Sequence, residues 1–182
     1  MKKGVVFLKK RIDIYQFIAF TFTCLFGSLL HFLYDISGNQ KLIAVFSAVN
    51  ESTWEHMKIM FFPLFASSLI LSRLLKDRRD FWLIKFKGLI ISLSLIPILF
   101  YSYKGILGFN VDLINVAIFY ISAAMGYIYE TRLFSKQESA VKNSKYFIFY
   151  CLIGLLFVVF TFFTPRLGVF LDPLSKTYGI NA

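Results

Sequence analysis

Five long apolar runs decide what this chain can become. They fall at about residues 15–34, 58–75, 83–101, 113–129 and 146–164, each close to the roughly 20 helical residues that cross a bilayer. Lipid offers the backbone no hydrogen-bond partner, so such runs cross it as helices that satisfy their own N–H and C=O groups. A soluble helical bundle is the alternative, and it fails on patterning, because these runs are apolar on every face. Composition agrees: 58% of residues are hydrophobic and 23 are Phe, with a mean hydropathy of +0.68, beyond the usual soluble range. The expected fold is an all-α integral membrane helix bundle of about five transmembrane helices. It forms a single domain over residues 1–182 and places the protein in the cell membrane as a multi-pass chain.

A cleaved signal peptide is not expected. The first apolar run is too long and no small-residue cleavage site follows it, so it reads as a retained span. Cys24 and Cys151 are isolated inside spans and carry no disulfide or zinc signal; buried packing is the expectation for both.

The net charge of +10 raises nucleic acid as a partner, and its distribution removes it. Lys2, Lys3, Lys9, Lys10 and Arg11 precede the first span. Arg73, Lys76, Arg78, Arg79, Lys85 and Lys87 lie around the second connection, and Arg132, Lys136, Lys142 and Lys145 around the fourth. These are fifteen of the twenty Lys and Arg. The positive-inside rule then predicts a cytoplasmic N-terminus and an external C-terminus, consistent with an odd number of crossings. The excess reads as topology plus attraction to membrane lipids.

The unusual polar residues fall on the predicted outer side. The first span ends in LHFLYDISGNQ, the second opens with NESTWEHMK, the third ends in FYSYKGILGFNVD, and the chain closes with FTPRLGVFLDPLSKTYGI. His31 and Asp35 are four apart and share a helix face. Asp35 either fixes the imidazole or starts the turn that follows. Ser52 and Glu55 fit a capping box. Capping explains Ser52 with one of Glu51 and Glu55, not both carboxylates together with Trp54, His56 and Lys58. Read as one helix, Glu51, Glu55 and Lys58 line one stripe, with His56 on the Ser52 face. A charge at membrane depth costs about 2–3 kcal/mol or more when unpaired, so this excess marks a site.

His31, Glu55 and His56 are the candidate acid–base residues. Asp35, Asn50, Glu51, Trp54, Lys58, Tyr103 and Asp172 are candidate ligand contacts, with Lys58 as counter-charge. Two i, i+4 pairs, His31/Asp35 and Glu51/Glu55, offer four ligands to zinc, iron or manganese, with His56 or Asp172 able to replace one member. An ion-pair network without metal is the competing reading. Tyr101, Tyr103 and Lys104 read first as an interfacial belt. Pro165 stops the last span, and residues 165–182 are expected to fold back over the outer mouth. The short apolar segment 41–49 is expected at the outer interface or partly re-entrant, and Pro63 and Pro97 to kink their helices and widen the pocket.

Together LHFLYDISG, FSAVNESTWEHMKIMFFP, YKGILG and FLDPLSKTYGI resemble a family of small bacterial multi-pass membrane proteins of unknown function. The resemblance spans essentially the whole chain and implies no reaction. From the residues themselves the leading expectation is an outward-facing polar pocket in an enzyme or binding protein, taking a lipid-like or amphipathic ligand; a metal-dependent or acid–base hydrolase is its sharpest form. A small transporter or channel subunit, or an accessory protein docking a partner, is the alternative, and an oligomer is compatible with each. The polarity looks confined to the outer side, which favours a blind pocket over a conduit.

Overall fold

The computed structural model describes residues 2–136 and 144–181, with side chains described over residues 10–136 and 145–180. Lys142 lies outside the described residues, as do the side chains of Lys2, Lys3 and Lys9. The helices are α1 (Lys2–Ile36), a single turn α2 (Lys41–Ala44), α3 (Thr53–Leu74), α4 (Phe81–Leu107), α5 (Asp112–Phe134) and α6 (Ser144–Phe162), followed by 3-10 turns at Gly168–Phe170 and Gly179–Asn181. Five helices are long and apolar enough to cross a membrane. Large side chains such as Phe17, Leu25, Ile98, Leu113, Leu155 and Phe163 are exposed around the bundle, the surface a lipid-facing protein needs and a soluble one avoids.

α3 is the central element: it packs against α1, α4, α5 and α6, and half of its apolar window is buried against 17% for α6. α4 and α5 cross closely where Gly88 lies under the Glu130 side chain and Gly126 under Ser92 Oγ. Small residues at a crossing let backbones approach, the usual device of helix packing in lipid. An aromatic cluster of Phe61, Phe65, Trp82, Phe147 and Tyr150 joins α3, α4 and α6.

Several boundaries differ from the sequence reading, each for a local reason. α3 starts at Thr53 rather than Lys58, because Glu55 and Lys58 neutralise one another and can enter the bundle. α4 runs on past Tyr101 to Leu107, where Gly108 takes the left-handed conformation (φ 78°) that closes a helix cheaply. Pro63 and Pro97 sit inside continuous α3 and α4. Segment 41–49 folds inward: Ala44, Ser47 and Ala48 are buried, Ala48 N–H donates to Leu30 O, and Ser47 Oγ donates to Leu30 O and accepts from Tyr34 N–H. Cys24 is buried as expected, whereas Cys151 is exposed on α6.

Candidate functional site

The stretch around residue 50 is two structures joined at Ser52. Ser52 is the N-cap of α3, its Oγ accepting from Glu55 N–H at 3.4 Å. Only half of a capping box forms. Ser52 N–H donates to Asn50 Oδ1 (2.9 Å), and the Glu55 carboxylate accepts from Val49 N–H (3.1 Å) instead. Glu51 therefore precedes the helix and is free of its screw, so the stripe expected for Glu51, Glu55 and Lys58 does not exist.

Freed from α3, the Glu51 carboxylate turns toward α1. Its Oε2 lies 3.4 Å from His31 Nε2 and 3.6 Å from His56 Nε2. The two imidazoles meet edge to face, with ring centroids 5.2 Å apart. One ligand atom from each of the three residues lies within 4.8 Å of the others. His56 Nδ1 is 2.9 Å from Ser52 O. A carbonyl only accepts, so Nδ1 carries the proton there and Nε2 is left facing Glu51. His31 Nδ1 is buried with no hydrogen-bond partner among the described residues. The hydrogen bond to His31 holds the Glu51 carboxyl below the ordinary carboxylate value; the charge of His56 adds to this and partial burial opposes it.

This cluster forms the polar end of a cavity of about 360 Å³ between α1, α3 and α5. Gly27, Phe32, Ile59, Val116, Phe119 and Leu174 supply apolar walls, while Ser28, Asn110, Asp112, Asn115 and Tyr120 supply polar groups. Among the described residues no Lys or Arg lines it. Phe32 and Val116 in its wall are exposed, so the cavity is open to the surface of the bundle beside them. Neither Pro63 nor Pro97 lines it.

The other sequence candidates lie elsewhere. Asp35 is exposed at the end of α1 and does not join the cluster. Glu55 turns instead toward Val49 and Thr161 of α6, where its carboxylate meets Lys58 Nζ at 2.5 Å with both side chains buried. Lys58 also donates to Ala44 O (2.9 Å) and Thr161 Oγ1 (2.8 Å). Of the four ligands expected for a metal, His31 and Glu51 come together, Asp35 and Glu55 do not, and His56 takes a place beside them. Trp54 packs on Phe157, Phe160 and Phe170. Asn50 donates to Gly179 O (3.0 Å), tying down the tail. Asp172 is buried and accepts from Leu174 N–H and Ser175 Oγ (both 2.8 Å), closing the turn of that tail. Tyr103 OH meets Asn110 Oδ1 (2.7 Å) and Asn115 Oδ1 (2.5 Å), bracing the α4–α5 connection beside the cavity.

A second polar centre was not anticipated. Lys85, counted above as a connecting-loop charge, is fully buried and pairs with Glu130 at 2.5 Å. Gln16 Nε2 donates to Glu130 Oε2 (3.0 Å), and Lys85 Nζ lies 4.7 Å from the Tyr127 ring centroid. Nearer the middle of the bundle, Thr23 meets Tyr127 OH and Ser28 meets Tyr120 OH, each at 2.8 Å. Polarity thus continues along the α1–α5 seam and is not confined to one end. Its signal in sequence was Glu130, an acid at the end of an apolar run, with Gln16 placed to face it only by folding.

No curated protein and no solved structure matches this chain. A family description does match, over residues 5–180, which takes in all of α3, α4, α5 and α6, both histidines, and the tail as far as Gly179–Ile180. The chain therefore belongs to DUF6512, a family of unknown function.

Proposed function

We propose that this membrane protein binds an amphipathic, lipid-like molecule in the cavity between α1, α3 and α5 and acts on it at the outer leaflet. One observation carries the reading: a cavity with apolar walls, open at the bundle surface beside Phe32 and Val116, ends in two imidazoles that share one carboxylate. Such sites pair an apolar lining with a few convergent polar groups. With no Lys or Arg among the described residues of the lining, the head group it suits is polar without being strongly anionic. The apolar tail would lie along Phe32, Val116 and Phe119. The positive-inside rule, which puts this end of the bundle outside, supports the assignment to the outer leaflet. Accessible thiols introduced as Gln40→Cys and Lys136→Cys test that placement: a membrane-impermeant reagent should label the first in intact cells and the second only after lysis.

The test of the reading itself is native mass spectrometry of protein extracted in mild detergent. Wild type should retain a co-purifying amphiphile that Val116→Trp, which fills the cavity, loses. Equal occupancy in both would sink it. A conduit is the second reading, favoured by the polar α1–α5 pairs and by a cavity of about 390 Å³ toward the other end, lined by Asp13, Gln16, Tyr127 and Arg132 among others. Proton flux in proteoliposomes that falls in Tyr127→Phe would support it over the blind pocket.

A further inference from the structure

We infer that His31, Glu51 and His56 form a mononuclear divalent-metal site, and that zinc is the metal it fits. The inference deepens the pocket reading and rests on it, since the metal would be the polar anchor of the bound amphiphile.

Three features support it. The first is spacing. A tetrahedral ion with bonds of about 2.0–2.1 Å holds its ligand atoms about 3.3–3.4 Å apart, whereas octahedral geometry at similar bond lengths brings neighbours to about 3 Å. The two nitrogen-to-carboxylate separations are 3.4 and 3.6 Å and all three ligand atoms lie within 4.8 Å of one another, close enough for one ion with tetrahedral bonds to draw them together.

The second is donor chemistry. Two imidazole nitrogens and one carboxylate make a set that open zinc sites share with non-haem iron, while magnesium and calcium take oxygen ligands. The ordering of His56 by the Ser52 carbonyl is the outer contact that metal-bound histidines use to fix their tautomer.

The third is electrostatic. With Nδ1 of His56 donating to Ser52 O, a neutral ring turns a lone pair toward a carboxylate oxygen, and the two repel. A divalent ion between the three groups satisfies all of them at once. The remaining vertex faces the cavity, where an oxygen of the head group or a water completes the shell. His31 Nδ1, on the far side of its ring from Glu51, is buried without a hydrogen-bond partner among the described residues.

The experiment is metal analysis of the full chain, carrying an affinity tag without histidine, grown with added zinc and purified in detergent without chelator. Plasma mass spectrometry should find near-stoichiometric zinc in wild type and in Asp35→Asn, whose carboxylate is exposed and apart from the cluster. Zinc should be lost in His31→Ala and Glu51→Gln. Folding is controlled on the same samples: added zinc should raise the melting temperature of chelator-stripped wild type and leave that of His31→Ala unchanged. If both variants fail to fold, the cobalt-loaded wild type decides, through the strong visible absorption of a tetrahedral ion. A metal-free wild type, equal zinc in every variant, or an octahedral cobalt spectrum overturns the inference. Native mass spectrometry of these preparations separates the two readings. An amphiphile retained without zinc removes the metal and leaves the pocket, while zinc without an amphiphile does the reverse.

Discussion

Glu55 and Lys58, three residues apart on α3, close a buried ion pair of 2.5 Å that takes no part in the cavity lining. It joins three parts of the chain, because Lys58 also reaches Ala44 O and Thr161 Oγ1. The result is a tether between segment 41–49, α3 and α6. Removing one partner of such a pair typically costs about 3–5 kcal/mol, because the other charge stays buried, whereas replacing both by neutral groups of similar size costs far less. Glu55→Ala should therefore lower the melting temperature in detergent more than the double variant Glu55→Gln/Lys58→Met. The reverse order would show that mutual neutralisation is not what keeps these groups in the bundle.

The α4–α5 crossing makes a steric prediction with an internal control. A Cβ at Gly88 would run into the Glu130 carboxylate, while nothing lies within 4 Å of a Cβ at Gly105 on the same helix. Overpacking of this kind costs about 1–3 kcal/mol. In an exposed helical position the same change gains up to about 1 kcal/mol. Gly88→Ala should lower the melting temperature and Gly105→Ala hold or raise it. Equal effects would place Glu130 away from Gly88.

Acid should act on Glu51 within a definite window. Its folded-state carboxyl is held below the ordinary value of 4.5 by His31 first and His56 second. A depressed carboxylate contributes stability above the ordinary value and loses it as pH falls through the folded value. In metal-free protein the melting temperature should therefore drop as pH is lowered below about 4.5, and Glu51→Gln should flatten that part of the profile. Because the Glu51 side chain is 39% exposed, screening keeps the effect small. A profile identical to wild type would mean that the two histidines do not interact with this carboxylate.

The tail is held by separable contacts. Phe170 is buried against Trp54 and Phe160, with ring centroids 4.7 and 5.7 Å apart, and Gly179 O accepts from Asn50. Loss of a buried Phe side chain costs about 3–5 kcal/mol, and loss of one hydrogen bond about 1 kcal/mol. Hydrogen exchange over residues 165–181 should accelerate strongly in Phe170→Ala and mildly in Asn50→Ala. Exchange in α4 should not change in either. Unchanged exchange in the tail of Phe170→Ala would show that this ring does not hold it.

Much of the architecture was legible because a membrane chain writes its fold into hydropathy. The five spans follow from run length alone, and His31, Glu51 and His56 were each marked by being polar beside long apolar segments. Their grouping was not legible. Reading NESTWEH as one helix aligned Glu51 with Glu55, whereas the Ser52 cap starts the helix one residue too late to include Glu51. The partner of Glu55 was in view three residues on, and its burial against Thr161 was not.

Sequence by itself determined that this chain is an all-helical bundle with membrane-spanning helices and that its ionisable groups cluster at span ends. Hydrophobicity and backbone hydrogen bonding are local, additive demands, and every residue states its share. Only the tertiary structure decided which of those groups face one another. His31 meets Glu51 across twenty positions and Gln16 meets Glu130 across most of the chain. Such pairings depend on which helix faces pack, and a charge in the bundle is stable only beside the partner that packing delivers.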